Sequence, residues 1–295
     1  MRAALAAGAN FWNGGELYGT PEHNSLHLLN RYFTEYPEDA EKVVISIKGC
    51  AGPNFVPDGS EEGVRRSVDN CVKLLGGKKT LDLFQCARVD PKTPIETTIA
   101  ALAACVKEGK IKGISLSEVR AETIRRAHKV HPICGVEVEF SLWATDILTN
   151  GVAATCAELG IPIVAYSPLG RGFLTGDIKS VDDLPEGDRR RMMPRFQPDV
   201  FPKNLELVTE LEKLAKKKGC KPGQLGLAWV KSFNGKPGMP TIIPIPGATT
   251  EERVVENSKD VSLTKEDLDE IDDILSKTVV IGERYPRAHL ALCNG

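Results

Sequence analysis

The sequence VVISIKG, residues 43–49, is a nearly continuous apolar run that ends in a lysine and a glycine. Two further runs have the same character, PIVAY at residues 162–166 and TIIPI at residues 241–245. Strands that are apolar on both faces are typical of a parallel sheet covered by helices. The sequence therefore predicts a buried parallel sheet of the α/β class.

Strand patterns and helical patterns alternate along the whole chain. Strands are predicted at residues 9–13, 43–48, 81–87, 112–117, 135–140, 162–166 and 241–246. Helices are predicted at residues 60–75, 122–130, 151–158, 204–218, 223–232 and 265–275. One more helix is predicted after the sequence TPIE, residues 93–96, interpreted as a capping box with Pro94 at the first helical position. A loop rich in proline and arginine, at about residues 175–202, fills the long gap before the last strand, and loops of this length are often functional.

Repeated βα units predict either an open, doubly wound sheet or a closed (β/α)8 barrel. No GxGxxG motif follows the first strand. The glycines at residues 170–176 are spaced GxGxxxG and follow the sixth strand, which argues against a dinucleotide-binding doubly wound sheet. The barrel is therefore favoured, although seven strands are predicted and not eight.

Composition excludes several classes of protein. The 295 residues are 41% hydrophobic and 26% charged, with a net charge of −2, so we expect no nucleic-acid partner and no membrane association. Eight scattered cysteines without a CxxC pair suit reduced thiols in a cytoplasmic protein and indicate neither disulfides nor a metal site. We expect a single domain over residues 1–295, with a C-terminal helix and tail at about 263–295.

A tyrosine follows the first predicted strand closely. The stretch NFWNGGELYG, residues 10–19, ends its apolar run near Asn13, turns on two glycines and reaches Tyr18. The active site of a (β/α)8 barrel lies at the carboxyl ends of its strands, and Lys48 ends the next strand. An ammonium beside a phenol favours the phenolate, so this pair suits proton transfer. The alternatives are an aromatic that packs a loop and a lysine that snorkels at a strand end.

Seven motifs resemble those of the aldo-keto reductases in order and approximate spacing. They are NFWNGGELYG, VVISIKG, LDLFQCARVD, GISLSEV, VEVEFSLW, VAYSPLGRGFLTG and IPIPGATTEERVVEN. The resemblance covers residues 1 to about 257 and implies a (β/α)8 TIM barrel that reduces carbonyl compounds with a nicotinamide cofactor. FWNGGE-YG, PDGSEEGVRRSVDNC and ARVDP look most like the branch of the fungal pyridoxal reductases (pyridoxine 4-dehydrogenases).

The resemblance implies a catalytic tetrad of aspartate, tyrosine, lysine and histidine. Tyr18 matches the tyrosine and Lys48 the lysine, whereas Asn13 stands at the aspartate position and Ala87 at the histidine position. Asparagine accepts a hydrogen bond but supplies no charge, and alanine leaves space in place of a proton donor. Activity could therefore be reduced, since one positioned acid–base group contributes about 10²–10⁴ in rate.

The cofactor implied by the resemblance is NADP, as NADPH. Tyr166 matches the residue that stacks on the nicotinamide, and Ser117 one that binds its carboxamide. Glu118 and Glu137 stand where the family often has amides, and Glu137 could accept from the carboxamide. The other implied cofactor-binding residues are Ser167, Leu169, Gly170 and Arg171 at the pyrophosphate and Gly247, Arg253 and Asn257 at the adenosine end. Arg253 as partner of a 2′-phosphate favours NADP over NAD; for each position, loop or helix-start packing is the alternative.

The implied substrate is a small-molecule carbonyl compound. Trp12, Phe55, Ala87 and Arg88 should lie near its pocket, and the tail at residues 282–286 could close over it. Arg88 could instead form an ion pair with Asp90 or another loop residue.

The start of the chain is short relative to the family. Residues 1–7 are interpreted as the last turns of the first barrel helix, so we expect the first barrel strand to be missing, by N-terminal truncation. The leading expectation is NADPH-dependent reduction of a small aldehyde, with pyridoxal to pyridoxine as best single guess. The alternatives are a non-catalytic NADPH-binding module, similar to the potassium-channel β-subunits, and an unstable fragment. The oligomeric state is not predicted.

Overall fold

Seven parallel strands form one sheet in which every strand pairs with its neighbours in the sequence. The computed structural model describes residues 1–52, 55–293 and 295. The strands are β1 (Phe11–Gly15), β2 (Val44–Gly49), β3 (Leu81–Cys86), β4 (Ile111–Ser117), β5 (Ile133–Glu139), β6 (Ile163–Tyr166) and β7 (Ile242–Ile245). Each predicted strand is confirmed to within two residues at either end, and the sheet curls into a nearly closed barrel of the predicted class.

Helices alternate with the strands along the chain, and those between strands cover the outer face of the barrel. They are α1 (Arg2–Ala6), α2 (Ser25–Glu35), α3 (Glu61–Leu75), α4 (Ile95–Lys107), α5 (Ala121–Val130), α6 (Val152–Leu159), α7 (Phe201–Lys218), α8 (Pro222–Lys231), α9 (Glu251–Ser258), α10 (Lys265–Lys277) and α11 (Arg287–Leu290). None of these helices in the described residues is long and apolar enough to cross a membrane.

The capping box predicted before α4 is wrong. Pro94 itself is the N-cap residue, and no side chain caps the helix. The hydroxyl of Thr93 donates instead to Asp90 at 2.8 Å. The loop after β3 competes for the threonine, so the local sequence pattern does not decide its partner.

The two edge strands of the sheet, β1 and β7, face each other across a gap. Among the described residues, β1 pairs only with β2 and β7 only with β6. A cleft of about 690 Å³ lies between them, bounded also by α1 and α9. Pro244 sits within β7 without an amide hydrogen, which a sheet tolerates at an edge strand. The prediction of seven strands in a barrel is thus confirmed.

The segment between β6 and α7 packs by its aromatic side chains, together with Trp143 from the loop after β5. Trp143 and Phe173 stack with ring centroids 4.2 Å apart, and Phe196 meets Trp143 edge-on at 5.2 Å. Phe173 and Phe196 are fully buried, and each such burial stabilises the fold by roughly 1.5–3 kcal/mol. The loop is therefore fixed beside the carboxyl ends of β5 and β6.

Candidate active site

Lys48 lies inside the barrel at the carboxyl end of β2, where it is only 4% exposed. Its ammonium donates to Oδ1 of Asn13 at 2.9 Å and forms an ion pair with Oε1 of Glu137. Residues that alternate along parallel strands share one face, so side chains from β1, β2 and β5 meet in the interior. The anion beside Lys48 thus comes from the far side of the barrel.

Glu137 has no free carboxylate oxygen, and it is 1% exposed. While Oε1 pairs with Lys48, Oε2 accepts from Nδ2 of Asn13 at 2.8 Å and from Nε2 of Gln85 at 2.6 Å. Gln85 pairs with Lys48 in the register of β3 against β2, which places it in the same layer. Four side chains from four strands therefore form one hydrogen-bonded cluster.

Tyr18 lies above this cluster, with its side chain about half exposed. The centre of its ring is 5.5 Å from the ammonium of Lys48. The next residue, Gly19, has φ of +123°, and a Cβ there would lie 2.1 Å from the carbonyl oxygen of His23. The turn that holds Tyr18 over Lys48 therefore requires glycine. The structure brings together the three residues predicted to be catalytic, Asn13, Tyr18 and Lys48.

Ala87 follows β3 at the same end of the barrel and is buried. Its amide donates to the carbonyl oxygen of Gly49 at 2.9 Å. A methyl group here can neither donate nor accept a proton. Of the residues at the two acid–base positions that the structure describes here, Tyr18 and Ala87, only Tyr18 carries a group that can donate a proton.

Backbone strain marks the same ends of the strands. Cys50 after β2, Glu118 after β4 and Ser167 after β6 all have φ between 48° and 58°. Arg171, in the loop after β6, also has φ of 58°. Left-handed φ in residues other than glycine is costly and clusters at active sites. The strained positions lie at the edge where the candidate catalytic side chains gather.

Residues 282–286, here called the C-terminal strap, cross the ends of β4, β5 and β6. The Arg284 guanidinium pairs with Glu118 and with Glu139, at 2.9 Å each. The Tyr285 hydroxyl lies 3.0 Å from the Tyr166 hydroxyl. The predicted closure of the tail over this end of the barrel therefore has a physical basis in buried charge.

The strap sets the protonation of the groups beneath it. Burial alone raises the pKa of Glu118, but hydrogen bonds and charge from Arg284 outweigh it and hold this pKa below its usual value. Burial and the Glu118 carboxylate raise the pKa of Tyr166 well above that of a free phenol. Tyr166 therefore stays protonated at neutral pH and donates to Glu118 at 2.9 Å.

Comparison with known proteins decides the family. The profile of the aldo/keto reductase family matches residues 1–276 of this sequence. The chain belongs to the aldo/keto reductase family.

Curated relatives and solved structures agree with this assignment. A probable pyridoxal reductase 2 of Schizosaccharomyces pombe is 45% identical, over 97% of this chain and 87% of the relative. A putative pyridoxal reductase of Saccharomyces cerevisiae is 41% identical, over 94% and 85% of the two chains. The structure of a glycerol dehydrogenase from Gluconobacter oxydans superposes with a TM-score of 0.82 at 26% identity, over 96% of this chain and 85% of that one.

Aldo/keto reductases use nicotinamide cofactors, and one observation tests whether this chain could hold one. The hydroxyl of Ser117 is buried at the carboxyl end of β4 and has no hydrogen-bond partner among the described residues. An unpaired buried hydroxyl is costly and calls for a partner. Ser117 is the residue predicted to bind the carboxamide, so the orphaned hydroxyl fits that ligand.

Glu118 and Glu137, also predicted to bind the cofactor, are instead bound by other side chains of this aldo/keto reductase. Glu118 bonds Arg284 and Tyr166, and Glu137 bonds Lys48. The carboxylates are satisfied by the chain itself. Burial explains this, because an acidic side chain away from water must find a cation or donors within the protein.

The loop predicted to bind the pyrophosphate is shaped by positive φ angles. Ser167, Gly170 and Arg171 have φ of 48°, 57° and 58°. Leu169 is half-buried and lies against α8. Arg171 is drawn toward the strap, because its guanidinium donates to Oε2 of Glu139 and to the carbonyl oxygen of Arg284. Its charge is therefore shared with the protein.

Residues predicted at the adenosine end lie beyond β7. Gly247 is exposed, and a Cβ there would meet no described atom within 4 Å. Arg253 is exposed near the start of α9 and donates to Asp177 at 3.2 Å. Asn257 is half-buried and lines the cleft beside β7. An exposed arginine with one exposed partner can still turn toward a phosphate.

Trp12, one of the predicted substrate contacts, points to the outer face of β1. The Trp12 ring packs on Tyr32 and Phe33 of α2, with centroids at 5.1 and 6.1 Å. Successive side chains point to opposite faces of a strand, so Trp12 faces outward where Asn13 faces inward. Its expected position near the pocket is therefore corrected.

The other predicted substrate contacts remain at the barrel mouth. Phe55 is exposed. Arg88 donates to the Ala87 carbonyl oxygen, and its guanidinium lies 5.7 Å from the centre of the Tyr285 ring. The alternative ion pair between Arg88 and Asp90 is not among the ion pairs of the described residues. Asp90 instead accepts from Thr93 and from the backbone.

Sequence reasoning missed Gln85 and Glu139, and it predicted the tail at residues 282–286 without assigning contacts to Arg284 or Tyr285. One signal was visible in VEVEF, where Glu137 and Glu139 stand at alternate positions of an otherwise apolar strand. Carboxylates at such positions need partners inside the protein. Which cations answer them depends on the register and on the path of the tail.

Proposed function

We propose that this aldo/keto reductase reduces a small aldehyde or ketone to its alcohol with NADPH, with the reduction of pyridoxal to pyridoxine as the leading candidate reaction. The observation that carries the proposal is the buried ammonium of Lys48, fixed by Asn13 and Glu137 and lying 5.5 Å from the Tyr18 ring. Relatives named as pyridoxal reductases, at 41% and 45% identity, support the choice of substrate.

The residues of the chain then have separate tasks. A nicotinamide cofactor, held by residues that include Ser117 and Arg253, would supply the hydride to the carbonyl carbon. Tyr18 donates the proton to the carbonyl oxygen, and the Lys48 ammonium stabilises the phenolate that remains. Ser117 orients the carboxamide through its otherwise unpaired hydroxyl. Arg253 binds the 2′-phosphate, which gives the preference for NADPH.

The proposed compartment is the cytoplasm. All eight cysteines are free thiols in the structure. Burial raises the pKa of Cys156 to about 12, so this thiol stays protonated and unreactive. Reduced, buried thiols are typical of proteins kept in a reducing compartment.

A second candidate function is that of a non-catalytic NADPH-binding module. Ala87 favours it, because a methyl group at this position removes the second acid–base group of the site. The two candidates differ in turnover, since both require the cofactor to bind.

One experiment separates the two candidates. NADPH is titrated into the purified chain by fluorescence, with NADH as the comparison, and turnover is then followed at 340 nm with pyridoxal and with 4-nitrobenzaldehyde. Turnover of either aldehyde supports the reductase, and faster turnover of pyridoxal supports the substrate. Tight binding of NADPH without turnover would reject the reductase in favour of the binding module.

A further inference from the structure

The charge that holds Lys48 comes from an unexpected strand. Glu137 on β5 is the only acidic side chain that forms an ion pair with Lys48 among the described residues. Both side chains are buried, at 4% and 1% exposed. A buried ammonium without a counter-charge is strongly destabilising. The position of Lys48 under Tyr18 therefore depends on Glu137.

The resemblance places an aspartate at position 13 and often an amide at position 137. This chain carries the amide at 13 and the acid at 137, so the pair has the same net charge with the charge on the opposite strand. We propose, on the basis of the proposed function, that Glu137 is the positioning residue that replaces the family's aspartate as counter-ion of Lys48. Asn13 is then the partner that complements Glu137, and the site keeps its single negative charge.

The hydrogen bonds explain why asparagine fits beside Glu137. Asn13 accepts from Lys48 through Oδ1 at 2.9 Å and donates to Glu137 through Nδ2 at 2.8 Å. A carboxylate at position 13 could accept from Lys48 but could not donate to Glu137. Two carboxylates at hydrogen-bond distance from each other cannot both stay ionised. An amide at one position and an acid at the other thus gives both ends of the Asn13 amide and both Glu137 oxygens a partner.

Gln85 completes the support of Glu137. Its amide donates to Oε2 at 2.6 Å, the oxygen that Asn13 also binds. Oε1 is left for Lys48 alone. The carboxylate therefore cannot rotate toward another partner without losing two hydrogen bonds, which makes it a rigid anchor.

The activity test compares two variants and one matched control with the wild type. We expect Glu137→Gln to lower kcat at least about tenfold, part of the roughly 10²–10⁴ that a positioned proton donor contributes. A lysine buried without a carboxylate is harder to keep charged, so the alkaline side of the pH–rate profile should differ from that of wild type. Asn13→Asp/Glu137→Gln returns an anion to Lys48 and should restore both kcat and the profile to near the wild-type values.

The matched control is Asp82→Asn, which removes another buried carboxylate that pairs with lysine. Asp82 contacts Lys79 and Lys112 near the amino end of β3, about 10 Å along the strand from Gln85. It should lose stability and keep the wild-type pH–rate profile. The proposal is overturned if Glu137→Gln keeps the wild-type profile as well, or if the exchange of charges restores nothing.

A second measurement needs neither substrate nor cofactor. Urea midpoints are compared for wild type, Lys48→Met, Glu137→Gln and the double variant. We expect each single variant to lower the urea midpoint. The double variant buries no unpaired charge, so its midpoint should fall by much less than the two single decreases added together. Additive losses would overturn the ion pair as the anchor of Lys48. If wild type shows no turnover, the proposed function fails, and this cycle alone still decides the pairing.

Discussion

The side chain of Asn13 uses both of its ends. Its carbonyl oxygen faces Lys48 and its amide nitrogen faces Glu137, at 2.9 and 2.8 Å. Hydrogen bonds to ionised groups are roughly twice as strong as neutral ones, so one neutral residue is held between two charges. At the scale of a single residue, a polar side chain thus helps to hold the Lys48 ammonium beneath the ring of Tyr18.

Tyr18→Phe tests the proton donor. Removing the hydroxyl should lower kcat by about 10²–10⁴, the contribution of one positioned acid, while NADPH binding stays unchanged. Turnover is followed at 340 nm and binding by fluorescence. Tyr36→Phe, which removes a hydroxyl beyond the end of α2, should match wild type. Unchanged kcat in Tyr18→Phe would exclude Tyr18 as the donor.

Arg253→Ala tests the choice of cofactor. Loss of a charge-assisted contact to a phosphate should weaken NADPH binding roughly tenfold, equivalent to about 1.4 kcal/mol, and leave NADH binding as it was. Both dissociation constants come from fluorescence titration. Arg31→Ala, at an exposed arginine of α2, is the control. Equal weakening of both cofactors would place Arg253 elsewhere than at the 2′-phosphate.

Charged residues link neighbouring strands at both ends of the barrel. Asp82 of β3 accepts from the Ile45 amide of β2 at 2.9 Å and pairs with Lys112 of β4 at 2.9 Å. Burial alone raises the pKa of Asp82, but Lys112, the Ile45 amide and Lys79 together hold it below its usual value. One carboxylate thereby joins three strands.

Asp82→Asn tests this link through its pH dependence. The folded pKa lies below the unfolded value near 3.9, so the stabilisation is complete at neutral pH and is lost as the pH falls through the folded pKa. The variant should be about 2 kcal/mol less stable at pH 7, and the difference should shrink below about pH 4. Urea unfolding at several pH values measures it. A difference that is constant with pH would assign the loss to packing.

The strap joins the end of the chain to the body of the barrel. Arg284 connects it to β4 through Glu118 and to β5 through Glu139, and the backbone of Gly295 pairs with Glu118 and Arg120. Buried charge therefore couples the order of the last residues to the stability of the whole molecule.

Arg284→Met tests this coupling. It leaves Glu118 buried without its cation, so the free energy of unfolding should fall by about 3 kcal/mol at pH 7. Because the pKa of Glu118 lies below its usual value in the fold, the difference from wild type should shrink as the pH falls toward that pKa. Hydrogen exchange of the strap should become faster. Arg287→Met, at the neighbouring exposed arginine, should change neither quantity.

The sequence predicts what is local and misses what depends on register. Seven strands are predictable because each is a short apolar run, and Tyr18 and Lys48 because they stand at strand ends. The Lys48–Glu137 pair joins residues far apart in the chain and is decided by which strands face each other. Trp12 lies away from its expected position near the pocket because neighbouring side chains of β1 point to opposite faces of the strand. Arg284 depends on the path of the tail.

The cluster of Asn13, Lys48 and Glu137 also limits how these positions can change during evolution. Passing to an aspartate at 13 and a glutamine at 137 takes two substitutions, and their order matters. If Glu137 is lost first, the ammonium is stranded, whereas an aspartate gained first gives two acids that can share one proton. Across homologous sequences, positions 13 and 137 should therefore change together, and transitional forms should carry both acids.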